Sequence, residues 1–505
     1  MFAPITLAVV GTWIGFANPA YRFPGLILLF PLAMSQAAFT AKTPGAAAKA
    51  GLAAGTLGAL GVLYWTAIPI RFYGHLPWLL ALPMPVLLSL AMGAYVALFA
   101  ALLQPAAHRL SPLPFGLYAG GLWTLVEIGR GTLFTGFPWL NLTAALTPWP
   151  FAVQGASILG AYALAGLLTA CMAWIVAGRY FSLTSLLGVL VLVGLGVYGN
   201  LELKRPLPEG PAIRVGIVQG NVDQSLKWDP DYQKATVDAY LDLSAKQAAE
   251  AATDLLVWPE TAMPFYLQDG DVLAASVVRF VRERGVPLVT GSPAYTREGE
   301  GYFLFNRVYL ITPDAGAATH YDKAHLVPFG EYIPFGKYLP FLTKLAHGVG
   351  DFMPGQNAAP LRHGNLALGL LICYEAIFPE LAQASVEAGA NILVNVSNDA
   401  WFGRSSAPLQ HLDLAALRAV EQGRFLIRAT NTGISAVIDP RGRVLAQSGL
   451  FAAETLAYSG TVLLSEQTVF HRHRGLIHWT CAGIVVVLGA LTMLSVPHRR
   501  PQKFR

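Results

Sequence analysis

Apolar and polar positions divide this chain into three stretches. Through 1–204 long apolar runs follow one another with few charges. From 205 to 470 short apolar strands alternate with amphipathic helices, and 471–505 carries one more apolar run before a basic tail. Crossing ~30 Å of hydrocarbon takes about 20 residues of helix. Runs near 3–19, 23–41, 50–70, 76–104, 114–130, 151–178, 182–199 and 476–496 fit or approach that length. They predict an α-helical membrane bundle of eight transmembrane helices, seven before the polar stretch and one after it. The first run lacks the basic n-region and cleavage site of a signal peptide.

In the polar stretch, strands are predicted at 213–221, 254–260, 287–292, 305–314, 366–375, 391–399, 425–433 and 434–447. Between several of them lie segments of helical period, such as QKATVDAYLDLSAKQAAEAA and LQHLDLAALRAVEQG. Apolar strands separated by amphipathic helices predict an α/β domain whose helices cover the sheet. The turn DPRG at 439–442 adds a hairpin, so the sheets are expected to be mixed.

Composition sharpens this division. Charged residues make up 12% of the 505 residues, where a soluble protein has about a quarter. The net charge of +5 is read as a topology signal, with no nucleic-acid partner. With a cytoplasmic N-terminus, the inner loops and tail hold Lys42, Lys49, Arg109, Arg179, Arg499, Arg500, Lys503 and Arg505, against Arg22, Arg71 and Arg130 outside. That bias predicts cytoplasmic termini and an extracytoplasmic domain at 205–470. Gly51, Gly55, Gly58 and Gly61 form a small-residue helix-packing face. Glu127 and Arg130 are either an internal pair or a lipid head-group contact, and Trp139 in GFPWLNL is expected to anchor at the interface.

Three cysteines cannot build a disulfide framework. Cys171 and Cys481 fall in apolar runs, so Cys373 is the polar domain's thiol. Glu260 in VWPETAMP, Lys323 in YDKAHLVPFGEYIP and Cys373 in LLICYEAIFPE each lie at or just beyond a predicted strand end, where open α/β sheets collect their chemistry. A carboxylate base, a fixed cation and a thiol nucleophile suffice to make and break a thioester. His471 and His473 in HRHRG lack a nearby carboxylate or thiol partner in sequence, so no metal is expected.

The order WPE, DKAHLVPFGEYIP, CYE and NVSNDAWFG resembles the carbon–nitrogen hydrolase (nitrilase) superfamily. With seven spans before the domain and one after it, the whole chain is similar to the apolipoprotein N-acyltransferase family within it. The resemblance implies an αββα sandwich with a Glu–Lys–Cys triad on Glu260, Lys323 and Cys373. It matches Trp228, Glu331, Tyr374 and Glu375 to further motif positions. It also implies a bacterial inner-membrane enzyme without cofactor, expected as a monomer. The donor is a phospholipid, phosphatidylethanolamine by family precedent, and the acceptor is a diacylglyceryl-modified apolipoprotein.

On this expectation Glu260 takes the proton of Cys373, while Lys323 and the Tyr374 backbone N–H receive the oxyanion. Glu331 either positions Lys323 or shares the base role. Glu375 braces the nucleophile's strand, and Asn395, Ser397 and Asn398 serve as scaffolding. Trp401 and Phe402 either line an acyl channel or are core aromatics. Segment 337–355, with Leu339, Phe341, Leu342, Leu345 and Phe352, is read as an arm that dips into the bilayer or covers the pocket, the alternative being ordinary packing. The rival activity is a membrane-anchored amidase or nitrilase acting on a small amide; a transporter or scaffold role fits poorly with nearly charge-free spans.

Overall fold

The computed structural model describes residues 2–179, 182–224, 227, 229–299, 301–314, 318–333, 352–356 and 358–495. Trp228, Leu339, Phe341, Leu342 and Leu345, and the basic tail from 496, lie outside the described residues.

Helices occupy all eight apolar runs, but their lengths differ. Among the described residues, Pro44–Phe72, Trp78–Arg109, Ala156–Ala177, Leu183–Lys204 and Val469–Leu494 are long and apolar enough to cross a membrane. Phe2–Gly15 and Pro24–Thr40 are shorter apolar helices. Pro112–Thr132 has 21 residues but stands outside those five, because glycines and the Glu127–Arg130 pair dilute its apolar content. The N-terminal region is thus helical, with several apolar helices. The last helix begins at Val469, earlier than its apolar run, because Thr468 caps it by accepting from the His471 backbone N–H at 3.0 Å.

The small-residue face packs closely. A Cβ on Gly51 would lie 2.6 Å from the Val96 carbonyl, and one on Gly55 2.9 Å from the Gly93 Cα. Glu127 and Arg130 are fully buried partners of each other rather than lipid contacts. Arg130 also donates to the Leu140 carbonyl at 2.8 Å, and Glu127 accepts from the Trp123 indole at 3.0 Å.

Among the described residues, the polar domain holds two six-stranded sheets. The first comprises β1 (Ala212–Gln219), β2 (Leu255–Val257), β3 (Leu288–Glu298), β4 (Gly301–Ile311), β5 (Thr319–Asp322) and β12 (Glu454–Val462), in the order β12-β1-β2-β3-β4-β5. The second comprises β6 (Leu361–His363), β7 (Leu366–Ile372), β8 (Ile392–Ser397), β9 (Leu426–Thr430), β10 (Ala436–Ile438) and β11 (Val444–Gln447), in the order β11-β10-β9-β8-β7-β6. Each sheet has three central parallel strands with antiparallel neighbours on both sides.

Alternation along the strands builds four layers. Val215, Ile217 and Val257 meet Leu370, Val394 and Ile427 between the sheets. Val218, Leu256 and Trp258 face helices Pro230–Glu250 and Val272–Arg284. Leu371, Leu393 and Leu426 face helices Pro379–Glu387 and Ala407–Gln422. Strands β7 and β8 are buried on both sides, which is why their sequences are almost unbroken apolar runs.

Helix Ala407–Gln422 also docks the domain on the bundle. Gln410 accepts from the indoles of Trp65 and Trp139 at 3.1 and 2.8 Å and donates to the carbonyls of Ala17 and Val62 at 2.8 and 3.2 Å. Asp413 pairs with Arg22 at 2.5 Å, and Glu421 accepts from the Ala161 backbone at 2.7 Å. Trp139 is therefore no interfacial anchor: it is 1% exposed and satisfies its N–H inside the protein.

Candidate active site

Glu260, Lys323 and Cys373 converge on one buried region, with exposures of 6%, 1% and 8%. Glu260 follows β2 after Pro259, which has no N–H to give the ladder though its carbonyl accepts from Gly291. Lys323 directly follows β5, and Cys373 directly follows β7. Gly291 backs the carboxylate; a Cβ there would lie 2.8 Å from the Glu260 Cα, so the backbone approach requires glycine.

Two carboxylates hold the cation. Lys323 Nζ sits 2.9 Å from Glu331 and 3.9 Å from Glu260 Oε1. Asn306, from β4, donates to Glu260 Oε1 at 2.7 Å and to Glu331 Oε1 at 2.9 Å. It thereby fixes the spacing of two groups that repel each other. Burial alone would lower the lysine pKa, but Glu331 and Glu260 outweigh it and hold the ammonium above the ordinary range. Glu260 Oε2 has no hydrogen-bond partner among the described residues.

Cys373 stands at φ +52°, a left-handed conformation that costs a side-chain-bearing residue energy and is found at functional turns. Burial, followed by the charge of Glu260, pushes its thiol up to about 12; Lys323 pulls only partly the other way. At neutral pH the sulfur is therefore a protonated thiol that needs a base.

The neighbouring positions fall into place around these three. Glu375 is fully buried and accepts from the backbones of Ile372 and Ala324, each at 2.6 Å, from His325 at 3.0 Å, and from Tyr321 Oη at 3.1 Å. It ties the end of β7 to the turn carrying Lys323, and burial pushes its carboxyl up to about 7. The Tyr374 hydroxyl donates to the Gly136 carbonyl at 3.1 Å, reaching the bundle's GFPWL loop. Phe402 packs on Trp65 and Trp139, at centroid distances of 4.8 and 6.0 Å. Trp401 is 38% exposed and lies edge-on to Tyr73 at 4.6 Å.

Several buried neighbours of these three escape motif reading. Asn306 is one, although a polar residue inside the apolar strand FNRVYLI was its signal. Lys227 is another: it is 1% exposed, with Nζ 3.4 Å from the Glu260 carbonyl, and burial pulls its ammonium down to about 8. Behind the thiol, His411, Asp399 and Arg428 are all fully buried. Arg428 is an arginine within an apolar strand, which was its signal in the sequence.

Residues 9–175 match the model of the apolipoprotein N-acyltransferase N-terminal domain, and residues 214–460 match that of the carbon–nitrogen hydrolases. The apolipoprotein N-acyltransferase of Geobacter metallireducens is 38% identical over 464 residues, covering 89% of this chain and 88% of that protein. That of Nitrosomonas europaea is 34% identical over 499 residues, covering 96% of each. Among solved structures, a nitrilase-superfamily amidase from Nesterenkonia AN1 aligns with 55% of this chain and 99% of its own, at 23% identity and a TM-score of 0.39. Both sequence halves and the near-complete coverage of these relatives lead to one conclusion: the chain belongs to the apolipoprotein N-acyltransferase family, an enzyme family of the carbon–nitrogen hydrolase superfamily.

Proposed function

We propose that this protein moves an acyl chain from a phospholipid to the α-amino group of a diacylglyceryl-cysteine at the N-terminus of an apolipoprotein, through a thioester on Cys373. The observation that carries this reading is the buried thiol beside an ammonium held 2.9 Å from Glu331 and 3.9 Å from Glu260. That arrangement occurs in a domain docked on apolar helices. In the first half-reaction Glu260 Oε2 takes the thiol proton, sulfur attacks the ester carbonyl, and the C–O bond breaks. The proton on Glu260 passes to the departing alkoxide, giving a lysophospholipid. In the second, the amine attacks the thioester, the C–N bond forms as C–S breaks, and the amine proton returns by way of Glu260 to the sulfur. Lys323 stabilises the thiolate and the oxyanion in both halves, and the backbone N–H of Tyr374 supplies the second oxyanion donor.

The donor expected from the family is phosphatidylethanolamine. We place 1–204 and 471–505 in the bacterial inner membrane as eight spans with cytoplasmic termini, and 205–470 outside as the catalytic domain, acting as a monomer. A thioester exposed to water would hydrolyse, and the burial of all three groups supports transfer over hydrolysis.

The test is the mass of Cys373 after incubating purified enzyme with phosphatidylethanolamine. An acyl adduct, absent in Cys373→Ser, is the expected result. Cleavage of small amides without any adduct would sink the reading in favour of an amidase.

A further inference from the structure

The carbonyl of Cys373 is held from behind by a buried network. His411 Nε2 lies 3.0 Å from that oxygen and Asn395 Nδ2 lies 3.5 Å from it. A carbonyl only accepts, so Nε2 carries the proton. On the other side of the ring, Nδ1 is 3.1 Å from Asp399 Oδ1 and 3.0 Å from Arg428 Nη2. Arg428 Nη2 also donates to Asp399 Oδ2 at 2.7 Å, and its Nη1 donates to Asn395 Oδ1. Both hands on the Cys373 oxygen are thus steered by one guanidinium.

The peptide joining Cys373 to Tyr374 is planar and trans, so its C=O and N–H point in opposite directions. Whatever fixes the oxygen also aims the hydrogen. A hydrogen bond to the carbonyl further polarises the amide and strengthens its N–H as a donor. Ser397 joins them by donating to Asp399 Oδ1 at 2.8 Å, so five fully buried polar groups gather behind a turn strained to φ +52°.

We infer that His411 is a positioning residue for acyl transfer: its Nδ1 accepts from Arg428, which Asp399 anchors, and its Nε2–H grips the Cys373 carbonyl and so aims the Tyr374 N–H at the oxyanion. It touches neither substrate nor sulfur. The inference rests on the reading of Cys373 as nucleophile and Tyr374 N–H as oxyanion donor.

Two rates separate this role from a structural one. Thioester formation from phosphatidylethanolamine passes through an oxyanion, whereas alkylation of Cys373 by iodoacetamide does not. In His411→Ala, thioester formation should fall about 10²-fold while alkylation stays within about threefold, and His411→Gln, whose amide can donate from the Nε2 position, should recover to within about tenfold. Parallel loss of both rates in the alanine variant would assign His411 to holding the sulfur and overturn the inference. So would wild-type acylation in that variant, or a folded glutamine variant as slow as alanine. Should the alanine variant fail to melt cooperatively, the glutamine variant decides alone, by fast acylation for the inference or slow acylation against it. A wild-type enzyme that forms no thioester at all would instead refute the acyl-transfer reading, a separate outcome because variants are scored against wild type.

Discussion

At the scale of single residues, the proton on Cys373 is the central quantity. Its thiol is pushed up to about 12 by burial and by Glu260, the same group that would accept its proton. On the proposed role of Glu260, that proton moves inside the site before the sulfur reacts, without first passing to water. Alkylation by iodoacetamide should then be flat from about pH 6 to 9, while in Glu260→Gln the proton must leave to solvent and the rate should climb about tenfold per pH unit. A sloped wild-type profile, read by mass of the alkylated protein, would count against Glu260 as the base. Asn306 belongs to the same argument, since its amide stands between two carboxylates that share one ammonium. Asn306→Ala should slow thioester formation about 10- to 100-fold, and Asn306→Asp more, because it adds a third negative charge. Single-turnover acylation at saturating lipid checks the order of the two variants.

At the scale of elements, helix Ala407–Gln422 does two jobs from adjacent residues: Gln410 faces the bundle and His411 faces Cys373. Removing the Gln410 amide strands two indole N–H groups and two carbonyls in a buried seam. Gln410→Ala should cost about 3 kcal/mol, since each orphaned buried group costs about 1–3 kcal/mol less whatever relaxation recovers. A lowered melting midpoint in detergent is the expected readout, and an unchanged one would show that the seam does not bear on stability. This helix was legible as an amphipathic segment, and β7 and β8 were legible as apolar runs ending in chemistry. Strand β12 was not, because it is an edge strand whose burial alternates weakly and whose neighbour, β1, lies over 200 residues earlier. The arm of the β3–β4 hairpin was hidden by TREGEGY, whose polar residues read as loop. Glu260, Lys323 and Cys373 were singled out through the local patterns around them, and the fold buries all three in one region. Asn306, His411 and Arg428 were missed because their meaning depends on neighbours that only the fold supplies. Trp139 was misread for the same reason: an aromatic near a helix end is either lipid-facing or docked, and its partner Gln410 lies 271 residues away.

Across the whole molecule, the connections expected on one side of the membrane are those that meet the catalytic domain. Arg22 pairs with Asp413, Tyr73 donates to the Ala400 carbonyl at 3.0 Å, and Gly136 and Trp139 reach Tyr374 and Gln410. Arg109, expected on the opposite side, instead donates to the Thr492 carbonyl near the end of the last helix at 2.8 Å. Large apolar side chains such as Leu79, Leu183, Trp479 and Met493 stay about four-fifths exposed, between 78% and 85%. Such a belt costs free energy in water and none in hydrocarbon. Charge bias predicts the orientation, with Lys42 and Lys49 inside and the domain outside. Two sites that are both exposed separate the alternatives: Val272 at the start of a domain helix, and Gly45, where an added Cβ meets nothing within 4 Å. In a Cys373→Ala background, a membrane-impermeant maleimide applied to intact spheroplasts should label Val272→Cys at once. It should label Gly45→Cys only after lysis. The reverse pattern would invert the topology and leave the thiol facing the cytoplasm, away from the lipoproteins it is proposed to acylate.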